Sequence, residues 1–249
     1  MYSIFHTPVK DYKLKTDIHV CNKFGLAEYF AENYDNILGN KQNYKALDVG
    51  CGVLPLGIYL ADQKQVHVTG VELNPVACRC ALENIKRLQL DEYIKLINDD
   101  FSIYYEGVHE FEFDLIVSNP PVDNMIKESE YLKHTNASFE ILNDATYSYL
   151  TNSWHSLEGK DLTDYIFGFG SKYLTRNGGI VIVFCDVNCT SPAFISEKSI
   201  KNGFKLSKQI KGVIPKEDIG LRSYTKEINI YLMLFRRDKN DDISKECLC

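Results

Sequence analysis

Four groups of polar residues and glycines each follow an apolar run, and the first group has the chemistry of a nucleotide site. It reads Asp48-Val-Gly50-Cys-Gly52 and follows the strand-forming residues 46–47. Closely spaced glycines let the backbone approach a ligand, and the helix that follows offers free N–H groups at its start. The spacing differs from the dinucleotide fingerprint, and no Lys-Ser/Thr pair follows as in a phosphate loop. The stretch therefore indicates a nucleotide-like ligand without identifying it.

The second group is a single carboxylate at the end of the apolar run 66–71, Glu72. It lies 24 residues after Asp48 (positions 48 and 72), close to the roughly 20 residues expected between a Gly-rich turn and a ribose-binding acid. A carboxylate in this place can accept hydrogen bonds from both ribose hydroxyls. A solvated charge at a strand end is the alternative, and the position after the glycines favours the ribose role.

The third group, Asp99-Asp100-Phe101, closes the apolar run 93–97. A carboxylate here could accept a hydrogen bond from an adenine amino group, and Phe101 or Leu73 could lie on a face of the ring. Acidic pairs at strand ends are also common turn residues, so both interpretations stay open.

The fourth group, Asn119-Pro120-Pro121-Val122, follows a buried strand that begins near Phe113. Two prolines fix the local backbone and remove two N–H donors. A planar nitrogen with two hydrogens could donate to the Asn119 side-chain oxygen and to the Pro120 carbonyl. Holding both N–H groups polarises this nitrogen and directs its lone pair at an electrophile. A loop that merely needs stiff residues would not explain Asn-Pro-Pro after a fourth strand of this series.

Apolar periodicity predicts the elements that position these groups. A helix is expected from Thr16 or Asp17 to Gly39, with an apolar face that covers the sheet. Closure of this helix over a cofactor or substrate is the alternative. Residues 123–160, which include Trp154, form a long connection of the kind that often serves as a lid or binding loop.

The rest of the chain continues the alternation of helices and strands. A helix is expected to begin near Asp161 and to end at Asn177-Gly178-Gly179, and a short one runs from Ser191-Pro192 to Gly203. The remaining predicted strands lie at 180–184, 204–214 and 228–235.

Composition limits the classes of function. The 249 residues carry a net charge of −6, which gives no long-range attraction to polyanions, although a local basic patch could suffice. No apolar run approaches the roughly 18 residues of a membrane span, and no export signal is visible. The eight cysteines form no Cys-x-x-Cys pair, and Cys185 with Cys189 lacks the paired spacing of a zinc site. A cytoplasmic chain with reduced thiols and no metal is expected.

Together, these groups resemble the motifs of class I S-adenosylmethionine-dependent methyltransferases over roughly residues 40–236. The Asn-Pro-Pro turn is similar to the N-methylating branch, which includes HemK-type protein-glutamine methyltransferases and adenine or guanine N-methyltransferases of RNA and DNA. The resemblance implies a Rossmann-like α/β fold: a mostly parallel seven-stranded sheet, helices on both faces and an antiparallel last strand. It implies a class I domain over 41–237, an N-terminal arm and helix over 1–40 and a charged, disordered tail over 238–249.

The resemblance also implies residue roles, with S-adenosyl-L-methionine as the cofactor. The residues expected at the cofactor are Asp48, Gly50, Gly52, Glu72, Leu73, Asp99, Asp100 and Phe101. Those expected to act on the acceptor nitrogen are Asn119 and Pro120, and those expected to contact the substrate are Pro121, Val122 and Trp154.

Two residues depart from the family pattern. Leu54 stands where many members have a third glycine, and Val122 stands where the family usually has an aromatic residue that stacks on a planar target. Base–aromatic stacking is worth roughly 1–3 kcal/mol per base. The valine and the acidic balance favour a small molecule or a protein side chain as methyl acceptor. An adenine or guanine N-methyltransferase of nucleic acid is one alternative, and a catalytically silent cofactor-binding partner protein is another.

Overall fold

The computed structural model describes residues 1–17, 20, 23–101, 104, 113–119, 162–185, 191–214 and 228–238. None of the helices in these ranges is long and apolar enough to span a membrane. The helices are α1 (Gly25–Leu38), α2 (Pro55–Lys64), α3 (Pro75–Leu88), α4 (Leu162–Tyr173) and α5 (Pro192–Lys201). The strands are β1 (Tyr2–Phe5), β2 (Tyr12–Lys15), β3 (Lys45–Val49), β4 (His67–Glu72), β5 (Ile94–Asn98), β6 (Phe113–Ser118), β7 (Leu174–Cys185), β8 (Phe204–Ile214) and β9 (Ile228–Arg237).

Seven strands form one sheet in the order β5-β4-β3-β6-β7-β9-β8. The pairs from β5 to β7 are parallel, and β9 runs antiparallel to both β7 and β8. The last strand along the chain is therefore the antiparallel one. The expected Rossmann-like α/β architecture is confirmed.

The central strands are apolar on both faces because helices cover both. Along β7, Val181 and Val183 face the core shared with α1, α2 and α3, while Ile180, Ile182 and Phe184 face the core shared with α4 and α5. Successive side chains of a strand point to opposite faces, so a continuous apolar run is what a doubly covered sheet requires.

The N-terminal segment differs from the expectation of one long helix. Strands β1 and β2 pair as an antiparallel hairpin, and the Thr16 amide donates to the Met1 carbonyl at 3.0 Å. Helix α1 begins at Gly25, so the predicted start at Thr16 or Asp17 was wrong. The physical reason is that residues 12–16 find backbone partners in residues 1–5 and cannot also form a helix.

Helix α4 also ends earlier than predicted. It stops at Tyr173, and β7 begins at Leu174, before the glycine pair at 178–179. Leu174 pairs with Phe113, and Gly179 pairs with Leu115. The register between β6 and β7 therefore shifts here, because β7 has more residues than β6 between these two pairs. The glycine pair therefore lies in an irregular strand rather than in a helix cap.

The hairpin and α1 share a core with the sheet. Phe5, Tyr12 and Leu14 of the hairpin are almost completely buried in the same apolar cluster as Phe30 and Tyr34 of α1. The proposed boundaries at 40 and 237 stay predictions. Residues 239–249, the proposed tail, lie outside the described residues.

The turn between β3 and α2 takes the backbone path of a glycine-rich loop although its last position is a leucine. Leu54 has φ +75° and is completely buried. A Cβ atom built on Gly57 or Gly70 would lie 2.9 Å or 2.8 Å from Leu54 Cδ1. The leucine side chain therefore fills the space above two other glycines, which have no Cβ to compete for it.

We expect Leu54→Gly to destabilise the protein by about 1–4 kcal/mol. Relief of the left-handed conformation should return about 1–2 kcal/mol, but emptying a buried leucine site costs about 3–5 kcal/mol. Urea denaturation measures the difference. Gln65→Gly is the control, because Gln65 also has positive φ (54°) but is exposed, so it should stabilise the protein by up to about 1 kcal/mol. A Leu54→Gly protein as stable as wild type would contradict the packing role of the leucine.

Candidate active site

The four candidate groups follow four adjacent strands, in the sheet order β5-β4-β3-β6. Because these strands are parallel, their carboxyl ends meet at one edge of the sheet. The chain moves outward from β3 to β4 and β5 and then returns to the other side of β3 with β6. The point between β3 and β6 is thus a topological switch point, where open α/β sheets bind ligands.

The glycine-rich loop, residues 50–54, is fixed to the end of β4. The Gly50 and Cys51 amides donate to the Val71 carbonyl at 2.9 Å and 3.2 Å. Gly50 and Gly52 have φ +67° and +57°, a region that other residues adopt at a cost. A Cβ atom built on Gly52 would meet no atom of the described residues within 4 Å. One side of the loop is therefore not covered by any of the described residues.

Glu72 holds the loop and the next helix together. Its Oε2 accepts the Gly52 amide at 2.8 Å, and its Oε1 accepts the Asn74 amide at 2.8 Å. Burial raises the pKa of the Glu72 carboxyl, while the amides of Asn74, Gly52 and Leu73 oppose that rise. Each carboxylate oxygen keeps a further acceptor site, so the group can bind a ligand hydroxyl without releasing the loop.

Asp48 is a buried carboxyl with one oxygen to spare. Its Oδ2 accepts the Gly57 amide of α2 at 3.1 Å, while Oδ1 has no hydrogen-bond partner among the described residues. Burial raises the pKa of Asp48 to about 7, helped by the charge of Glu72 and opposed by the Gly57 hydrogen bond. An orphaned buried oxygen is costly, and such groups are usually completed by a ligand or water.

Asn119 is positioned by the serine that precedes it. The fully buried Ser118 hydroxyl donates to the Val49 carbonyl at 2.7 Å, which ties the end of β6 to the end of β3. Asn119 follows directly and is half-buried. Ser118 is a residue that sequence reasoning missed. Its signal is a lone hydroxyl at the end of the apolar run 115–117.

The residues expected to contact the adenine differ in their position, because some lie at the strand ends and Phe101 lies in the core. Leu73 is half-buried beside Glu72, and its carbonyl accepts the Asn98 side-chain amide at 3.0 Å. The Asp99 carboxylate accepts the Asp100 amide at 2.8 Å, as in a turn. The Phe101 ring is 6 % exposed and packs on Phe169 with ring centroids 5.5 Å apart. Leu73 is therefore the more accessible of the two side chains suggested for the adenine face.

The remaining expected site residues lie outside the described residues. These are Pro120, Pro121, Val122 and Trp154. Both ends of the connection that contains them are at the site. The chain leaves the described structure after Asn119 and returns at Leu162, whose Cδ2 would lie 3.9 Å from a Cβ atom on Gly50.

Asn84 is a second residue that the sequence interpretation treated only as part of a helix face. Its side chain is fully buried, accepts the Lys15 amide at 2.6 Å and donates to the Lys15 and Val53 carbonyls at 3.2 Å and 3.3 Å. One amide thus joins α3, the N-terminal hairpin and the glycine-rich loop. The signal was an asparagine on the otherwise apolar face of α3.

The cysteines near the site are thiols. Cys51 and Cys78 are buried and free, and burial is the main cause that raises the pKa of both. Neutral, desolvated thiols are poor nucleophiles. In the described part of the chain, no group of His, Cys, Asp or Glu side chains could hold a metal ion.

Comparison with known proteins agrees with this geometry. Residues 26–147 match the family model of the methyltransferase small domain. A tRNA1(Val) (adenine(37)-N6)-methyltransferase of Yersinia pestis is 37% identical over 79 residues, which are 31% of this chain and 32% of that protein. A Yersinia pseudotuberculosis protein of the same name matches to the same extent. The matched part of the chain therefore spans about a third of the length of these curated relatives.

Solved structures with the same fold cover most of the chain. A methyltransferase from Pyrococcus furiosus has a TM-score of 0.57 at 15% identity and covers 90% of this chain and 89% of its own. A T. thermophilus 16S rRNA N2 G1207 methyltransferase, solved with AdoMet and guanosine, has a TM-score of 0.57 at 15% identity and covers 96% of this chain and 50% of its own. Residues 26–147 therefore belong to the methyltransferase small domain family, and the sheet that contains them has the class I S-adenosylmethionine-dependent methyltransferase fold.

Proposed function

We propose that this protein transfers the methyl group of S-adenosylmethionine to the exocyclic amino nitrogen of a nucleobase in RNA. The observation that carries the proposal is Asn119, held by Ser118 at the end of β6, next to the glycine-rich loop. The names of the relatives support the RNA part, because one acts on a tRNA adenine and another on an rRNA guanine. They favour the nucleic-acid alternative over the small molecule or protein side chain that the sequence suggested.

The residues present fit S-adenosylmethionine. No atom of the described residues lies within 4 Å of a Cβ position on Gly52, and the Asp48 Oδ1 atom is a buried acceptor in need of a donor. Glu72 would accept hydrogen bonds from the ribose hydroxyls, and Asp99 or the adjacent backbone would contact the adenine. Leu73 would lie against the adenine ring. When bound, the cofactor supplies a methyl group activated by a positively charged sulfur.

The chain contributes orientation rather than acid–base chemistry. An exocyclic amine is a poor nucleophile because its lone pair is delocalised into the ring. The Asn119 side-chain oxygen, with the Pro120 carbonyl, would accept both N–H groups, polarise the nitrogen and turn its lone pair toward the methyl group. Preorganised polar contacts of this kind are worth most at a reacting atom.

The test is methyl transfer to fractionated acceptors. Cell extract separated into RNA, protein and metabolites is incubated with the protein and radiolabelled S-adenosylmethionine, and we expect label only in the RNA fraction. Nuclease digestion followed by mass spectrometry should then show a methylated adenine or guanine. Label confined to protein or metabolites would refute the RNA assignment, and no label with intact cofactor binding would favour a silent binding protein.

Two substitutions should separate chemistry from cofactor binding. Asn119→Ala should lower the transfer rate by about 100- to 1000-fold and leave cofactor affinity unchanged, because Asn119 contacts only the acceptor. Glu72→Ala should weaken cofactor affinity at least tenfold by removing charge-assisted hydrogen bonds worth roughly 1.5–3 kcal/mol each. Single-turnover transfer and calorimetric titration measure the two effects. Asn36→Ala, an exposed helix position, is the matched asparagine control. Wild-type behaviour of both variants would show that the roles are misassigned.

The orphaned Asp48 oxygen should make the ligand-free protein less stable as pH rises. The pKa of Asp48 is about 7 in the folded protein, against about 3.9 in an unfolded chain, so the folded state holds the proton more tightly. The contribution of Asp48 to the free energy of unfolding is then greatest below about pH 4 and decreases as the pH rises to about 7. Each unit of difference between the folded and unfolded pKa corresponds to about 1.4 kcal/mol. The raised pKa of Glu72 acts in the same direction.

Urea denaturation across that pH range should show a shallower decline for Asp48→Asn than for wild type. Asp91→Asn, at an exposed carboxylate, should leave the decline unchanged. Equal pH dependence in wild type and Asp48→Asn would mean that the Asp48 carboxyl does not titrate in this range.

A further inference from the structure

Basic residues are concentrated where the N-terminal hairpin packs on α3. Residues 1–17 and 75–88 hold six basic and three acidic side chains, a net charge of +3 within a chain whose total is −6. We call the outer side of these two elements the hairpin–α3 surface. Its basic residues are Lys10, Lys13, Lys15, Arg79, Lys86 and Arg87. The rest of the chain therefore carries −9, so this is a local positive region on an acidic protein.

The elements of this surface are joined by direct contacts. The Arg87 guanidinium donates to the Lys13 carbonyl, and Asn84 bonds both backbone groups of Lys15. The Tyr2 hydroxyl donates to Glu83 Oε1 at 2.9 Å, which links β1 to α3. The basic side chains of the hairpin and of α3 therefore belong to one surface with a fixed arrangement.

An exposed aromatic ring lies among the cations. Tyr2 is 45% exposed, and the Nζ atoms of Lys13 and Lys15 each lie 5.2 Å from its ring centroid, with Arg87 Cζ at 5.6 Å. Glu83 is the acidic side chain that contacts this group, with Oε2 3.8 Å from Lys15 Nζ. Three cations around one ring and one carboxylate leave an excess of positive charge.

The surface is connected to the cofactor loop. Lys15 and Val53 are both hydrogen-bonded by Asn84, so the hairpin and the glycine-rich loop share one buried amide. Two exposed apolar side chains, Ile4 and Leu82, lie on the same two elements. The cations could contact the phosphates of a nucleic acid, and the aromatic and apolar groups beside them could contact its bases.

We propose that the hairpin–α3 surface binds the RNA substrate, with its lysines and arginines on backbone phosphates and the Tyr2 ring stacked on an unpaired base. This inference rests on the proposed RNA acceptor and adds where that RNA docks. Charge complementarity and the exposed ring carry it together, because this positive region attracts a polyanion and has Tyr2 among its cations. An unpaired base has a free π face for an exposed ring.

The test is binding of fluorescently labelled, unfractionated tRNA to the full chain with S-adenosylhomocysteine present. Anisotropy titrations at several KCl concentrations give the affinity and its salt dependence. The charge variant is Lys13→Gln with Lys86→Gln, both exposed residues, and the ring variant is Tyr2→Leu, which keeps an apolar side chain without a π face. The matched control is Lys95→Gln with Lys201→Gln, which removes the same charge from exposed sites on other elements.

We expect the charge variant to bind about tenfold more weakly at low salt and to have a log–log salt slope smaller by about 1.4, the value for two phosphate contacts on single-stranded nucleic acid. Tyr2→Leu should weaken binding at least about fivefold with an unchanged slope, since leucine removes the stacking ring and leaves the charges in place. The control should bind like wild type. Melting temperatures and cofactor titrations should be equal for all four proteins.

Three results would overturn the proposal. The first is a charge variant that binds tRNA as tightly as wild type, and the second is a control that weakens as much as the charge variant. The third is a wild-type protein that binds a 20-base-pair DNA duplex more tightly than tRNA, or binds neither. Each result leaves the methyl-labelling test to decide the proposed function separately, because label can enter RNA whichever surface holds it.

Discussion

The candidate site depends on one carboxylate that accepts backbone hydrogen bonds from two directions. Glu72, at the end of β4, binds the Gly52 amide of the preceding loop and the Asn74 amide at the start of α3. Asp48, at the end of the neighbouring strand, similarly binds the Gly57 amide inside α2. Two acids at adjacent strand ends thus hold the starts of two helices. Desolvation raises the cost of ionising both carboxyls, the charge of Glu72 adds to that cost at Asp48, and a ligand that donates hydrogen bonds offsets it.

The glycine-rich loop keeps its backbone conformation although one of the usual glycines is replaced by a leucine. A third glycine is absent, yet Leu54 takes the left-handed conformation and places its side chain over Gly57 and Gly70. The strain of about 1–2 kcal/mol is smaller than the gain from a fully buried leucine. The Leu54 side chain occupies the space that side chains at positions 57 and 70 would otherwise need.

The N-terminal hairpin gives the domain an added surface next to this site. Phe5, Tyr12 and Leu14 anchor it in the core, and Asn84 ties its second strand to the loop that faces the cofactor space. A buried amide of this kind must satisfy all its bonds at once, so the hairpin, α3 and the loop hold a fixed relative position. The outer face is then free to carry charge and an exposed ring.

The sequence by itself determined the strand ends. Apolar runs that stop at Asp48, Glu72, Asp99 and Asn119 predicted a parallel α/β sheet and the residues at its carboxyl edge, because strand ends and glycine turns are local features. The end of α1 at Gly39 is local in the same way. Only the tertiary structure decided that residues 12–16 pair with residues 1–5, that Ser118 bonds Val49, and that Asn84 joins three separate elements. These contacts join residues up to 69 positions apart, and no pattern of nearby residues encodes them.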